Sequence, residues 1–200
     1  MTHVFEAASS GRAKCRGCGR AIARGQIRFG ERLPNLFGEG DMTLWFHPMC
    51  AAYKRPESVR QALEAAASEA IAGGAVAIPD REKLERAAAS SATQRRRPRI
   101  DGAEHSPTGQ ARCRSCREPI LRGTWRIRIA YFEEGRFLPG GFVHLACRLR
   151  YFEADDVLEQ VLYFSPALGE SDREELRKAF QEPPAPPSAS ESESAPGDTA

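Results

Sequence analysis

No run of apolar residues in this chain of 200 is long enough to cross a bilayer. Met1 is followed by no apolar leader, so a reducing compartment is the default expectation and a secreted disulfide scaffold fits poorly. Cysteine is scarce at six residues, and lysine scarcer still at four against 25 arginines. The arginine excess sits in an Ala- and Gly-rich context, so a GC-rich genome accounts for it before guanidinium chemistry at phosphates does. There is no phosphate-binding glycine loop, and no nucleophile, acid or base is placed by a motif. Enzymatic chemistry is therefore not expected.

The few cysteines fall into two matching sets. Cys15-x2-Cys18 is followed, after 28 residues, by His47-x2-Cys50; 98 residues on, Cys113-x2-Cys116 is followed, after 27, by His144-x2-Cys147. A Cys-x2-Cys pair curls into a knuckle that directs two thiolates at one point. A His-x2-Cys pair at the start of a helix adds two ligands one turn apart. Three sulfurs and one nitrogen are the closed tetrahedral set of a structural Zn²⁺, so two zinc ions per chain are expected, with no position left for a catalytic water. A redox Cys-x2-Cys would need no matching His-x2-Cys at a repeated distance.

This repeat predicts an α+β protein of two small zinc-stabilised fingers, each a short antiparallel sheet with C-terminal helices. Residues 1–90 would be the first finger, 91–109 a basic flexible linker, 110–182 the second finger, and 183–200 an acidic Pro- and Ser-rich tail, disordered on composition. Units this small lie near the lower limit for a self-sufficient core, so the metal should supply much of the folding energy.

Alternation predicts strands over 26–33, 42–46 and 125–131, with apolar-bearing loops over 34–41 and 132–141. Helices are expected from Pro48 to a stop at Pro56, over 57–72 before Gly73-Gly74, and from an Asp80 N-cap to about Ser90. Further helices should cover 145–152 and the Val157–Leu162 pattern, and one should follow a Ser171-x2-Glu174 capping box. The run Gln94-Arg95-Arg96-Arg97-Pro98-Arg99 suits a solvated tether or a nucleic-acid arm equally.

The net charge of +2 hides a strong polarity. Arg12, Lys14, Arg16, Arg20, Arg24, Arg28 and Arg32 face Glu31 alone; Arg112, Arg114, Arg117, Arg122, Arg126 and Arg128 face Glu118 alone. Such segregation implies a polyanionic partner. Arg28 and Arg126 occupy the same place in each repeat, on the outward side of the first strand. They suit either a solvated face or phosphates. Leu36, Phe37 and Met42, with Phe137 and Leu138, suit either a mini-core or an apolar prong that covers a base pair exposed at a break in duplex DNA.

At these residues the chain resembles the PARP-type zinc finger family, found in poly(ADP-ribose) polymerase and the zinc-finger DNA ligase. Ser10-Gly11-Arg12-Ala13-Lys14-Cys15, Ile22-x4-Ile27-Arg28, Pro34-Asn35-Leu36-Phe37 with Gly40-Asp41-Met42, and Trp45-Phe46-His47-x2-Cys50 carry the likeness. The resemblance implies recognition of DNA breaks, with Arg12, Arg28, Phe37 and Met42 at the lesion in the first finger and Arg126 with Phe137 or Leu138 in the second. The second copy departs from the pattern at Gln110, at Phe142-Val143 and at Phe137-Leu138-Pro139-Gly140-Gly141.

The expected function is that of a monomeric, sequence-independent sensor of DNA nicks or ends. One finger would sit on each duplex arm, making phosphate contacts and stacking apolar side chains on exposed base pairs. Arg12, Lys14, Arg16, Arg112, Arg114 and Arg128 would flank the strand arginines on the DNA. It would act on the nucleoid in a bacterial cytoplasm or in a eukaryotic nucleus, with the tail free to recruit a repair partner. The alternative is a zinc-structured protein-interaction adaptor of the LIM or RING kind. No membrane or small-molecule partner is expected.

Overall fold

The computed structural model describes residues 3–35, 38–71, 76–94, 98–154 and 156–182, with the side chains of 68–71 left aside. Its first half opens with strand β1 (Val4–Ala7), then β2 (Ile27–Pro34) and β3 (Asp41–Phe46), antiparallel in the order β1-β2-β3. Helices α1 (Pro48–Lys54), α2 (Pro56–Ile71) and α3 (Arg81–Thr93) follow. The second half repeats the sheet as β4 (Arg99–His105), β5 (Trp125–Glu133) and β6 (Arg136–His144), again antiparallel in chain order. A 3-10 turn (Leu145–Cys147) leads into α4 (Arg148–Phe152), α5 (Leu158–Tyr163) and α6 (Glu170–Gln181).

Several local expectations hold for the predicted reason. Pro48 stands in the first turn of α1, where its missing N–H costs nothing, and Pro56 opens α2 the same way. Two caps differ. Asp80 precedes α3 in a left-handed conformation with φ 51° and makes no side-chain cap bond. Helix α6 begins one residue ahead of Ser171, so Ser171 and Glu174 both lie within the helix and Gly169 takes the N-cap position.

Two larger expectations are corrected. The segment 91–109 is not a flexible linker throughout. Ser91–Thr93 complete α3 and Arg99–His105 form β4, with Ile100 fully buried. Only Ile100 and Ala103 are apolar there, and a bulge between Ile100 and Gly102 breaks the alternation, so the strand is invisible to a period-two reading. The strand forms because it pairs with β5, as β1 pairs with β2. Arg95, Arg96 and Arg97 of the basic run lie outside the described residues, as do Gly73, Gly74 and the tail 183–200.

Residues 132–141, read as a loop, are instead a hairpin. Glu134 (φ 48°) and Gly135 (φ 77°) make a two-residue turn with both φ positive, which matches the right-handed twist of the strands it joins. The Pro139-Gly140-Gly141 run within that segment is a bulge in β6, where the register against Ile129 and Ala130 shifts.

The two halves pack into each other. The first core gathers Phe5, Ile22, Phe29, Phe46, Val59 and Leu84, all buried, and takes in Phe164 from the end of α5. Phe132, Phe137 and Tyr163 of the second half lie against its margin. The second core holds Ile100, Ile120, Ile127, Val143, Phe152, Val161 and Leu176. Each such side chain contributes about 1.5–3 kcal/mol by leaving water.

Charged groups complete the joint between the halves. Lys54, with its side chain fully buried, pairs with Asp101 of β4 and lies 4.6 Å from the ring centroids of both Phe137 and Phe164. Arg55 grips the fully buried carboxylate of Glu31 at 2.8 Å, beside Ser58, and its guanidinium lies 4.1 Å over the ring of Phe132. Gln94 donates to Gln160 at 2.7 Å. Met42 faces the hairpin turn closely enough that a side chain at Gly135 would come within 3.1 Å of its terminal methyl.

Candidate metal centres and nucleic-acid interface

The sequence folds locally to bring each ligand set together. The knuckle at Cys15 turns back so that the Gly19 amide donates to the Cys15 carbonyl at 2.8 Å. A Cβ at Gly17 would sit 2.9 Å from the Cys50 Cβ, so glycine is required for the knuckle to approach α1. Strand β3 delivers His47, and the first turn of α1 delivers Cys50. The second set forms in the same way, with His144 at the end of β6 and Cys147 in the 3-10 turn.

Within each set, Cys15, Cys18, His47 and Cys50 or Cys113, Cys116, His144 and Cys147, the ligand atoms lie within 4.8 Å of one another. His47 Nδ1 is 3.4 Å from Cys18 Sγ and 3.8 Å from Cys50 Sγ; His144 Nδ1 is 3.3 Å from Cys116 Sγ and 3.9 Å from Cys147 Sγ. A tetrahedron with Zn–S and Zn–N bonds of ordinary length has an N···S edge of about 3.5 Å, so the donor sets fit zinc. The far ring nitrogens settle the tautomer. Nε2 of His47 faces the Ala21 carbonyl at 3.3 Å, and that of His144 faces the Pro119 carbonyl at 3.1 Å. A carbonyl only accepts, so Nε2 carries the proton and Nδ1 keeps its lone pair for the metal. Backbone amides of His47 and His144 donate to Cys15 and Cys113 at 3.3 Å, sharing the thiolate charge. Four protein ligands per site leave zinc a structural role.

The strand arginines are not on a solvated face. Arg28 is buried, donates from Nε and Nη2 to Glu6 at 3.1 and 2.6 Å, and stacks 3.6 Å over Trp45. Arg126 is buried in the same way, against Glu104 at 3.0 and 2.5 Å and 3.6 Å over Phe142. Arg128 reaches the other Glu104 oxygen at 3.1 Å and the Asp101 carbonyl at 2.8 Å. The cause lies in the register. Glu6 stands opposite Arg28 and Glu104 opposite Arg126, each on the outer strand that local patterning does not reveal. A signal was present, since the two glutamates share the 98-residue offset of the cysteines and arginines.

The knuckle cations are different. Arg12, Lys14, Arg16, Arg20 and Arg24 in the first half, and Arg112, Arg114, Arg117 and Arg122 in the second, are all exposed. Among the described residues none has a carboxylate within ion-pairing distance. Their contacts are to main-chain carbonyls or a thiolate: Arg114 to Gly140, Arg112 to Arg117 and Arg20 to Cys18.

The apolar candidates are also redistributed. Leu36 and Phe37 lie outside the described residues. Met42 is half-buried against the first core and the Gly135 turn. Phe137 stacks on Phe132 at 5.0 Å under the Lys54 ammonium, so it serves the joint and not an exposed prong. Leu138 is half-buried opposite Tyr131.

Residues 6–88 match the profile described as the poly(ADP-ribose) polymerase and DNA-ligase Zn-finger region. Poly [ADP-ribose] polymerase of Sarcophaga peregrina is 28% identical over 146 residues, 64% of this chain and 14% of its own length. Poly [ADP-ribose] polymerase 1 of Oryza sativa subsp. japonica is 26% identical over 159 residues, 76% of this chain and 15% of its own. The same-named protein of Caenorhabditis elegans is 38% identical over 50 residues, 25% of this chain and 5% of its own. The chain therefore spans a small fraction of these relatives, and the family match is to the finger region, not to a catalytic domain.

Proposed function

We propose, from the match of residues 6–88 to the PARP-type zinc finger family, that the chain is a sequence-independent sensor of DNA strand breaks, acting as a monomer without enzymatic activity of its own, wherever the cell keeps its DNA. The observation that carries this reading is the split among its arginines. The strand arginines are neutralised by register-matched glutamates, while the knuckle cations of both fingers stay exposed and, among the described residues, free of carboxylates. Arg12, Lys14, Arg16, Arg112 and Arg114 are the phosphate contacts on this reading. Leu36 and Phe37, on the connection between β2 and β3, cover the base pair that a break exposes.

The packed joint takes the place of the expected flexible linker in this scheme. The two fingers meet DNA as one body, so their relative orientation is set before binding and a lesion is selected by how well its two arms fit it. Zinc holds the knuckles in place, and nothing reads base edges, so sequence is ignored.

A fluorescence anisotropy titration of the zinc-loaded chain against nicked, blunt-ended and covalently closed DNA tests the reading. Nicked duplex should bind at least ten-fold more tightly than closed circles. Equal affinity for cut and closed DNA would overturn it.

A further inference from the structure

The two metal centres differ in what lies behind them. Cys50 is fully buried, and the hydroxyl of Tyr163, 113 residues along the chain and in the other finger, lies 3.4 Å from its sulfur. Cys147, its counterpart, is half-exposed, and the described residues place no donor from the first finger on it. Helix α1, which carries Cys50, is also held by the second finger at two further points. Tyr53 packs against the rings of Tyr163 at 5.2 Å and Phe164 at 5.9 Å, and Lys54 is paired with Asp101.

We propose that the second finger forms the outer wall of the first finger's zinc site, with Tyr163 donating its hydroxyl hydrogen to the Cys50 thiolate, so that docking of the fingers retains the first zinc. A thiolate that accepts a hydrogen bond spreads its charge over the donor and is held in the orientation the metal needs. Outer partners of this kind typically change metal affinity by about 10–100-fold. Burial of Cys50 adds a second barrier, because a chelator must wait for the joint to open. The coupling is reciprocal: whatever retains zinc in the first finger also holds the fingers together, and loss of that zinc loosens the joint. Among the described residues the second site has no such wall, and it exchanges independently.

Zinc transfer from the full, two-zinc chain to excess 4-(2-pyridylazo)resorcinol tests this without DNA, so its failure leaves the break-sensing reading untouched. The expected trace has two phases of equal amplitude. Tyr163→Phe keeps the ring and its packing but removes the hydroxyl, and should speed the slow phase by about ten-fold with the fast phase unchanged. Asp101→Asn, which loosens the joint without touching Tyr163, should speed the same phase. Circular dichroism confirms that both variants remain folded. A single phase in the unmodified chain, an unchanged slow phase in both variants, or equal acceleration of both phases would each overturn the proposal.

Discussion

The ammonium of Lys54, closed off from water, lies 4.6 Å from the ring centroid of Phe137 across the joint between the two fingers. The aromatic residue that best suits an exposed base in the second finger is thereby committed to holding the first. The consequence is an unequal pair: the hairpin of the second finger is spent on packing, and on the proposed reading only the first finger offers a loop to DNA.

This division separates two phenylalanines. Phe37→Ala should cost about 1–3 kcal/mol of affinity for nicked DNA and leave intact duplex binding unchanged. Phe137→Ala should instead lower the unfolding free energy by about 2 kcal/mol and keep the preference for nicks in whatever chain remains folded. Paired anisotropy and urea titrations of both variants check this. A nick-specific affinity loss in Phe137→Ala would return that residue to the DNA surface.

The joint's buried charge makes a second contrast. Asp101→Ala leaves the Lys54 ammonium buried without its carboxylate and should destabilise the chain by about 3 kcal/mol. Lys54→Met replaces the cation by an apolar chain of similar length between Phe137 and Phe164, and should change stability by less than about 1.5 kcal/mol. Chemical denaturation of the two proteins decides it, and equal losses would speak against a desolvated lysine as the cause.

Salt dependence separates structural from contacting arginines. Arg16→Ala or Arg114→Ala should reduce the slope of log affinity against log salt by about one unit. Arg28→Ala should leave that slope alone and lower the melting temperature, because its guanidinium is sandwiched between Glu6 and Trp45. A reduced slope for Arg28→Ala would mean that this arginine leaves Glu6 for phosphate.

Metal removal should unfold the chain rather than merely weaken it. With one small sheet per site, stripping both ions by chelation at pH 7 should abolish the ordered far-ultraviolet signal and DNA binding together. Cys113→Ser should leave one tightly held zinc per chain by elemental analysis. Two retained ions in that variant would refute the assignment of the second ligand set.

The ligand sets, the α+β alternation and the helix boundaries at Pro48 and Pro56 were legible because each depends on neighbours a few residues away. A thiolate pair three positions apart makes a knuckle wherever it occurs, and a proline ends or opens a helix by its own ring. Charge segregation was equally visible, and it located the cationic stretches without telling which cations are free.

What the amino-acid sequence determined alone was therefore two zinc-bound units, repeated at an offset of 97 to 98 residues, with an excess of arginine around each knuckle. Only the tertiary structure decided that Glu6 neutralises Arg28 and Glu104 neutralises Arg126, that the segment around Ile100 is a strand, and that the fingers share a joint sealed by Lys54 and Tyr163. The reason is distance along the chain. Side chains that meet across a sheet or between domains are chosen by the whole packing arrangement, and no local period records which carboxylate or ring a given arginine, lysine or tyrosine will find.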